Sequence, residues 1–498
     1  MSNIVDSLWH KSHPKSDRIA IRDSQRGERT YCWLEIISSK ISEELSLAGL
    51  RAASGIVLCL EKSPDAVALI VGALELKCHY IPVDPRWPDR RLHQITEFDE
   101  WLVIAKDHSF LEFIKDNEEV EIRALRSCEG DLCLVRFLER SIPRGNAEIA
   151  IRLMTSGSTG VPKGVLHSHS SVNHLLTWCE KEFRITENDR WVSIAGFFFD
   201  LSVLDVFLPL RNGGVVALAD TETVGMPPRL SKFVQDTRAT VIYTTPTVYS
   251  LLLSYGRLVE FDLSGLRLLL SAGEAFSVDL ARKLISTFDA DVYNLYGPTE
   301  SNVCTFYQVQ LSDLRSSSES IPIGRMIDGM FARVVDDELW IRGSSMMMGY
   351  LTAGKVDSGV RFEEGEYWYQ TGDRVSFRDS ENLVYRGRVD RMIKSRGVRI
   401  EPLEIELILQ SHPNVEQAAV IQTTNPSLLT AYVVLRSESK DHQLEKQCRE
   451  SLPSSMVPQR FIYLREMPTT ATLKIDFQRL ASGLVRATNS LSKSEVPE

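Results

Sequence analysis

The sequence predicts an α/β protein, with a large N-terminal domain of layered mixed and parallel sheets covered by helices and a small mobile α+β C-terminal domain. Short apolar runs alternate with helical segments, and one uniformly apolar helix needs burial on most sides. Near Arg386 the pattern changes to short alternating strands with glycine turns. The length of 498 residues, 43% of them apolar and 25% charged, is enough for a layered core.

The predicted buried strands are short apolar runs bounded by polar or turn residues. They cover residues 55–60, 101–105, 149–154, 239–244 and 266–271. Because helical segments lie between them, these strands are expected to pair in parallel.

Two helices can be placed from their termini. Ser63 and Pro64 match an N-cap and a first helical position, and the apolar residues after them extend to Leu76. After Leu201 the apolar residues fall at i, i+3, i+4 and i+7, which predicts a helix with one buried stripe that ends before 213–214. Asp200 is expected at or just before its N-terminus.

The C-terminal part predicts a separate small domain. A helix begins at Pro402, strands cover 429–435 and 460–464, and a helix lies around 443–452. The expected domains are an N-terminal core over 1–388, a mobile lid over 389–485 and a flexible tail over 486–498.

Composition excludes several classes of protein. The net charge of −10 gives no field that attracts a phosphate backbone, so no nucleic-acid partner is expected. No signal sequence and no run of about 18 apolar residues occurs, so we expect no membrane association and a cytoplasmic location. The eight cysteines form no CxxC pair and are expected to be reduced and mostly buried.

The strongest local signal is the segment 155–164, TSGSTGVPKG, which follows a predicted strand. Its small residues leave backbone N–H groups free to surround a polyphosphate, and Lys163 adds positive charge. Pro162 stands where a Walker loop needs its second glycine, so the ordinary NTPase interpretation fails. A flexible linker is the plain alternative.

Together with five further motifs, this segment resembles the adenylate-forming superfamily of carrier-protein adenylation domains, acyl-CoA synthetases and luciferases, and the resemblance covers nearly the whole chain. The motifs are NLYGPTE at 294–300, YQTGD at 369–373, GRVD at 387–390 followed by KSRG at 394–397, TLKID at 472–476, and GFFFDLS at 196–202. Surface turns and a charged hairpin are the alternatives for these segments taken singly.

The resemblance implies a site for ATP and Mg²⁺. Tyr296 would stack on adenine, Glu300 would hold Mg²⁺, Asp373 would accept the ribose hydroxyls and Arg388 would contact the nucleotide. The implied ATP-binding residues are Thr155, Ser156, Gly157, Ser158, Thr159, Gly160, Lys163, Asn294, Tyr296, Gly297, Thr299, Asp373, Arg388 and Lys474.

The catalytic residues implied by the resemblance are Lys474, Thr155 and Glu300. Lys474 would bridge the attacking carboxylate and the α-phosphate, which offsets the charge that builds in the transition state. Leu473 replaces the usual glycine beside it, and a solvated surface lysine is the alternative. Asp390 would be the hinge about which the lid rotates.

The segment 196–202, GFFFDLS, resembles the entrance of the acyl pocket. Asp200 would bind the α-ammonium group of an amino acid, because an unpaired ammonium among apolar side chains is costly. Alternatively, Asp200 caps the following helix. The implied substrate-binding residues are Phe199, Asp200, Leu201, Leu204, Tyr243, Leu270, Ala272, Gly273, Leu295, Val303 and Cys304.

Together these features predict an AMP-forming ligase that activates a small uncharged amino acid, similar to alanine or proline. The aminoacyl-AMP would then acylate the phosphopantetheine thiol of a separate carrier protein, because little chain follows the lysine loop. An acyl- or aryl-CoA ligase that shares the first half-reaction is one alternative. A catalytically silent homologue that serves as a binding module is the other.

Overall fold

The computed structural model describes residues 3–12, 17–140, 146–156, 162–315, 320–352, 354–395, 397–423, 428–436, 443–469 and 475–482. The chain forms two compact units. The first comprises Met1–Pro85, Thr96–Met154 and Lys163–Val389, and the second comprises Arg86–Ile95, Thr155–Pro162 and Asp390–Glu498. The C-terminal part of the second unit begins at Asp390, and 86–95 and 155–162 also belong to this unit.

The helices of the described residues are α1 Ile4–Ser12, α2 Tyr31–Ala48, α3 Pro64–Glu75, α4 Asp89–Thr96, α5 Ser109–Asn117, α6 His169–Glu182, α7 Leu201–Arg211, α8 Thr221–Gly225, α9 Pro227–Asp236, α10 Pro246–Tyr255, α11 Val278–Thr287, α12 Pro402–Gln410, α13 Gln443–Ser451 and α14 Phe477–Ala481. Short 3₁₀ helices lie at Leu258–Glu260, Asp313–Arg315 and Ser454–Met456. Among the described residues, no helix is both long and apolar enough to cross a membrane.

The strands up to residue 308 are β1 Ile19–Asp23, β2 Gly27–Thr30, β3 Gly55–Cys59, β4 His79–Val83, β5 Trp101–Ala105, β6 Val120–Ala124, β7 Leu132–Phe137, β8 Ile149–Thr155, β9 Lys163–Ser168, β10 Arg190–Ser193, β11 Val215–Leu218, β12 Val241–Thr244, β13 Leu268–Ser271, β14 Asp291–Tyr296 and β15 Thr305–Gln308. The five predicted runs all contain a strand.

The later strands are β16 Arg325–Met326, β17 Met330–Val335, β18 Glu338–Gly343, β19 Gly349–Thr352, β20 Lys355–Asp357, β21 Arg361–Glu363, β22 Glu366–Phe377, β23 Leu383–Arg388, β24 Ile393–Ser395, β25 Val398–Ile400, β26 Val415–Gln422, β27 Leu429–Leu435 and β28 Arg460–Leu464.

The first unit contains two large mixed sheets and one antiparallel sheet. Their strand orders in the described residues are β16-β15-β14-β13-β12-β10-β11-β1-β2, β20-β19-β9-β8-β4-β3-β5-β7-β6, and β17-β18-β22-β21 with β23 on β22. The central strands of both large sheets pair in parallel, and antiparallel strands lie toward their edges. The predicted fold class is confirmed.

Helices α3 and α7 show what the sequence predicted well and what it did not. Ser63 accepts a hydrogen bond from the Ala66 N–H at 3.1 Å, so the predicted N-cap is confirmed. The prediction of one buried stripe on α7 is wrong, because every residue from Leu201 to Leu210 is buried. The reason is that α7 packs on α1 and α6 as well as on β10, β11 and β12.

The second unit is a small α+β structure. Strands β26, β27 and β28 form a sheet. Strand β26 pairs antiparallel with β27, and β27 pairs parallel with β28. The described side chains of α12, α13 and this sheet share a hydrophobic cluster. A buried ion pair joins Arg91 of α4 to Glu404 of α12.

All eight cysteines lie within described residues. None of the eight is in a disulfide bond, and six of them are buried, so the prediction of mostly buried thiols is confirmed.

Candidate active site

Four neighbouring strands of the first unit bring the predicted site segments to one edge of a sheet. Strands β10, β12, β13 and β14 pair in parallel, so their carboxyl ends meet. The segments 194–200, 272–273 and 297–300 directly follow three of these strands. Residues that are far apart in sequence thereby become neighbours.

Asp200 lies at the N-terminus of α7 but does not cap it. Its backbone is helical, with φ −61° and ψ −28°, and its side chain makes no capping hydrogen bond. A cap requires an extended backbone that turns the side-chain oxygen toward the first N–H groups. The alternative that Asp200 serves as the cap of α7 is therefore wrong.

Two hydrogen bonds from the segment after β14 hold Asp200. Thr299 Oγ1 donates to Asp200 Oδ2 at 2.8 Å, and Asn302 Nδ2 donates to the Asp200 carbonyl at 3.0 Å. The aspartate is half-buried. Its carboxylate thus has a fixed orientation and remains partly accessible, as a site for a ligand cation requires.

The side chains predicted to line the acyl pocket are buried and apolar or aromatic. All of them belong to one hydrophobic cluster: Leu201, Leu204, Tyr243, Leu270, Ala272, Leu295, Val303 and Cys304. Tyr243 and Leu270 are direct partners across β12 and β13. Phe199 is half-buried, with its ring centroid 4.6 Å from that of Phe198. Gly273 follows in a turn with φ +84°.

Asp373 is a fully enclosed carboxylate at the predicted nucleotide end. It is fully buried, and it pairs directly with Arg388 across β22 and β23. Tyr296 donates its hydroxyl to Asp373 Oδ2 at 2.5 Å, and Arg388 Nη1 donates to Asp373 Oδ1 at 2.8 Å. These two donors fix both oxygens of the Asp373 carboxylate in place.

The turn around Asp373 is fixed by its backbone. Gly372 has φ +70°, a conformation that side chains rarely adopt, and its N–H donates to Glu338 Oε1 at 2.8 Å. Burial raises the pKa of Tyr296 well above its usual value, and the Asp373 carboxylate raises it further. The phenol is therefore a hydrogen-bond donor throughout the physiological pH range.

Asn294 is the last polar side chain of β14 before the GPTE segment. Its Nδ2 donates to the Pro322 carbonyl at 2.8 Å. This bond fixes the orientation of the amide, in which the nitrogen donates and the oxygen is an acceptor.

Glu300 and Lys163 are joined by Tyr350. Glu300 is fully buried and accepts the Tyr350 hydroxyl at 2.5 Å, and the Lys163 ammonium lies 4.0 Å from the centroid of the Tyr350 ring. Within the described residues there is no cluster of three or more His, Cys, Asp or Glu that could cage a metal. Mg²⁺ is commonly held by one or two carboxylates plus substrate phosphates, so Glu300 fits this ion.

Several predicted residues lie outside the described residues or in the second unit. Gly157, Ser158, Thr159, Gly160 and Lys474 are outside the described residues. Thr155 ends β8, and Ser156 Oγ donates to the Arg399 carbonyl at 2.9 Å. Asp390 Oδ1 accepts the Met392 N–H at 3.2 Å. Gly297 lies between β14 and Thr299.

Two titratable side chains, Lys62 and Asp205, were not predicted from the sequence and lie next to the segment that carries Asp200. Lys62 Nζ donates to the carbonyls of Ser193 and Ile194, at 2.8 and 2.9 Å, and Asp205 of α7 is fully buried. Burial lowers the pKa of Lys62 to about 8, although Asp205 raises it, and burial raises the pKa of Asp205. A lone aspartate in an otherwise apolar stretch of α7 was the available signal.

His167 was also missed. Its Nε2 lies 2.7 Å from the Thr299 carbonyl, so the ring donates there. Burial lowers the pKa of His167, which keeps the ring neutral. This contact fixes the backbone of the residue whose hydroxyl holds Asp200.

Comparison with protein families gives two matches. Residues 8–351 match the model of the AMP-binding enzymes, and residues 404–474 match the AMP-binding enzyme C-terminal domain. Together these matches extend over most of both units.

Individual proteins that are similar to this chain agree with these family matches. An L-proline–(L-prolyl-carrier protein) ligase of Streptomyces coelicolor is 31% identical over 88% of this chain and 89% of its own length. One of Pseudomonas fluorescens is 31% identical over 97% of this chain and 99% of its own. The Vibrio cholerae adenylation domain AlmE, solved with glycyl-adenosine-5'-phosphate, has a TM-score of 0.80 at 22% identity, with 97% of each chain covered.

Proposed function

The chain belongs to the family of AMP-binding enzymes, and from this premise we propose that it activates L-proline as prolyl-AMP and transfers the prolyl group to the phosphopantetheine thiol of a carrier protein. It is an AMP-forming ligase, and enzymes of this kind use ATP. The names of two relatives support the amino acid and the type of acceptor. A compact apolar amino acid such as alanine is the nearest alternative substrate.

The single observation that carries the proposal is the placement of Asp200. Its carboxylate is held by Thr299, makes no capping bond to α7 and follows a half-buried phenylalanine. A substrate ammonium that enters an apolar pocket loses its hydration and needs a negatively charged partner. The Asp200 carboxylate, which does not cap α7 and lies beside an apolar cluster, can be that partner.

The side chains around Asp200 support a small apolar substrate. The lining set contains no charged group, so a charged substrate side chain would be buried without a partner. Proline offers a secondary ammonium for Asp200 and a ring of three methylenes for the leucine side chains. Because one methylene changes binding by only about 1–3 kcal/mol, alanine would be discriminated modestly.

The nucleotide would be held at the other end of the site. Asp373 would accept the ribose hydroxyls, Tyr296 would stack on the base, and the Asn294 carbonyl oxygen would accept from the base amino group. Mg²⁺, held by Glu300 together with the phosphates, would neutralise charge on the leaving pyrophosphate. Lys163 would contribute positive charge beside it.

The remaining assignments extend this proposal to the second unit. Lys474 would bridge the substrate carboxylate and the α-phosphate during adenylation. A rotation about Asp390 would then exchange Lys474 for the entering thiol. In the two half-reactions the carboxylate attacks the α-phosphorus and releases pyrophosphate, and the thiol attacks the carbonyl and releases AMP.

The test is amino-acid-dependent exchange of labelled pyrophosphate into ATP by the full chain. L-proline should support the fastest exchange, with L-alanine slower. Cyclopentanecarboxylate is the matched control, because it has the ring and carboxylate of proline without the ammonium. We expect it to support exchange at least about 100-fold more weakly, since the Asp200 carboxylate would be covered by the ring without a cationic partner.

Each alternative function has its own outcome in this assay. Faster exchange with cyclopentanecarboxylate or with fatty and aromatic acids would favour an acyl- or aryl-CoA ligase. Absence of exchange with every acid would favour a binding module. Either result would contradict the proposal.

A further inference from the structure

Tyr350 lies on a strand that pairs with the start of β9. In the described residues Tyr350 of β19 is opposite Val165, and Leu351 is opposite Gly164. Strand β9 begins at Lys163, the positively charged end of the predicted phosphate segment. The register therefore fixes Tyr350 beside this segment, although about 185 residues separate the two strands along the chain.

The hydroxyl of Tyr350 reaches the carboxylate assigned to Mg²⁺. It donates to Glu300 Oε1 at 2.5 Å and lies 3.2 Å from the Tyr369 hydroxyl. Glu300 is fully buried, and both tyrosines are more than nine-tenths buried. A buried carboxylate that accepts a fixed donor has little rotational freedom, so the bond from Tyr350 fixes the orientation of the Glu300 carboxylate.

The ring of Tyr350 contacts the second charged group. The Lys163 ammonium lies 4.0 Å from the ring centroid, within the range of a cation–π interaction. A turn packs directly on the ring as well: a Cβ at Gly359, where φ is +64°, would lie 2.4 Å from Tyr350 Cε2. The ring is thus fixed in place while it contacts Lys163.

We propose that Tyr350 is a positioning residue that sets the geometry between Glu300 and Lys163, so that Mg²⁺ and the ATP phosphates are bound together. The inference rests on the proposed function, in which both residues face the nucleotide. The hydroxyl orients the ligand of the cation, and the ring orients the ammonium. Neither contact involves the amino-acid end around Asp200.

Two variants separate these contacts. Tyr350→Phe removes the hydroxyl and keeps the ring beside Lys163, whereas Tyr350→Leu removes both. Tyr369→Phe is the matched control, because it removes a buried hydroxyl that lies 3.2 Å from the Tyr350 hydroxyl and leaves Tyr350 itself intact. The measurement is calorimetric binding of α,β-methylene-ATP to the full chain over a series of Mg²⁺ concentrations, with KM values for ATP and L-proline from pyrophosphate exchange.

In Tyr350→Phe we expect the Mg²⁺ concentration for half-maximal binding to rise about tenfold, with unchanged affinity in EDTA and an unchanged KM for L-proline. In Tyr350→Leu the affinity in EDTA should also fall about threefold to tenfold, because Lys163 loses its ring contact. Tyr369→Phe should stay within about twofold of the unmodified chain.

Two results would overturn the inference. One is that Tyr350→Phe binds α,β-methylene-ATP with the same dependence on Mg²⁺ concentration as the unmodified chain. The other is that Tyr350→Phe raises the KM values for ATP and L-proline equally, as a purely structural role would. If the unmodified chain binds no nucleotide at any Mg²⁺ concentration, the proposed function itself fails, and the two failures are thereby distinguished.

Discussion

Asp373 and Asp200 lie at the two ends of the candidate site and are held in different ways. The protein supplies donors to both oxygens of Asp373, from Tyr296 and Arg388, and the carboxylate is fully buried. Asp200 is half-buried, and Thr299 donates to one of its oxygens. Asp373 is therefore enclosed within the fold, whereas Asp200 is partly exposed, as the proposed contact with a substrate ammonium requires.

This difference suggests a division of roles. A buried ion pair whose partner is removed leaves an uncompensated charge in the core, so Asp373 should matter for stability as well as for nucleotide binding. Asp200 should matter for substrate choice and little for stability. Three predictions test this contrast, from the largest expected effect to the smallest.

Asp373→Ala should lower the free energy of unfolding by about 3–5 kcal/mol, because Arg388 loses its buried partner. Pyrophosphate exchange should fall below detection. Denaturant unfolding followed by tryptophan fluorescence measures the first effect. Asp279→Ala, which removes an exposed partner of Arg282 in the same unit, is the control and should leave the unfolding midpoint unchanged. Equal stability of the two variants would remove the contrast.

Asp200→Ala should lower the preference for L-proline over cyclopentanecarboxylate by about 3–5 kcal/mol, through loss of the partner of the ammonium. Its free energy of unfolding should change by less than about 1 kcal/mol, since the side chain caps no helix. The ratio of kcat/KM values for the two acids in the exchange assay gives the first quantity. Unchanged discrimination would refute the ammonium role.

Thr299→Val should raise the KM for L-proline about tenfold, because a hydrogen bond to a charged group contributes about 1.5–3 kcal/mol. Valine keeps the shape of threonine, and Thr299→Ser should restore the KM by returning the hydroxyl. Because Thr299 is also among the residues that the resemblance implies for ATP binding, the KM for ATP should be measured beside the KM for L-proline. A rise in that value alone would assign Thr299 to the nucleotide end.

The sequence predicted those elements whose signals are local. The strand at Trp101–Ala105 and the N-cap at Ser63 follow from neighbouring residues, and both are found in the structure. The full burial of α7 was not predicted, because it depends on α1, α6 and three strands distant along the chain. Periodicity within one segment carries no information about how many neighbours surround it.

The same limit applies to the site. Asp200 and Glu300 were singled out because their motifs are continuous in sequence, and their roles remain predictions. The contact of Tyr350 with Glu300 depends on the pairing of β19 with β9. The contact of Lys62 with Ser193 joins a residue just after β3 to the end of β10, and these strands belong to different sheets. Such long-range pairings leave no periodic trace in a single sequence.

The end of the first unit has a consequence for nucleotide binding. Arg388 bonds to the Thr371 carbonyl and to Asp373, and the Val389 N–H bonds to the Gly372 carbonyl. The chain therefore leaves for the second unit from residues tied to the proposed ribose turn. A ligand that stiffens this turn also restrains the conformations of the chain at 388–390. Because thermodynamic linkage is reciprocal, a change that restrains 388–390 must in turn strengthen the binding of that ligand, and the two coupling free energies are equal.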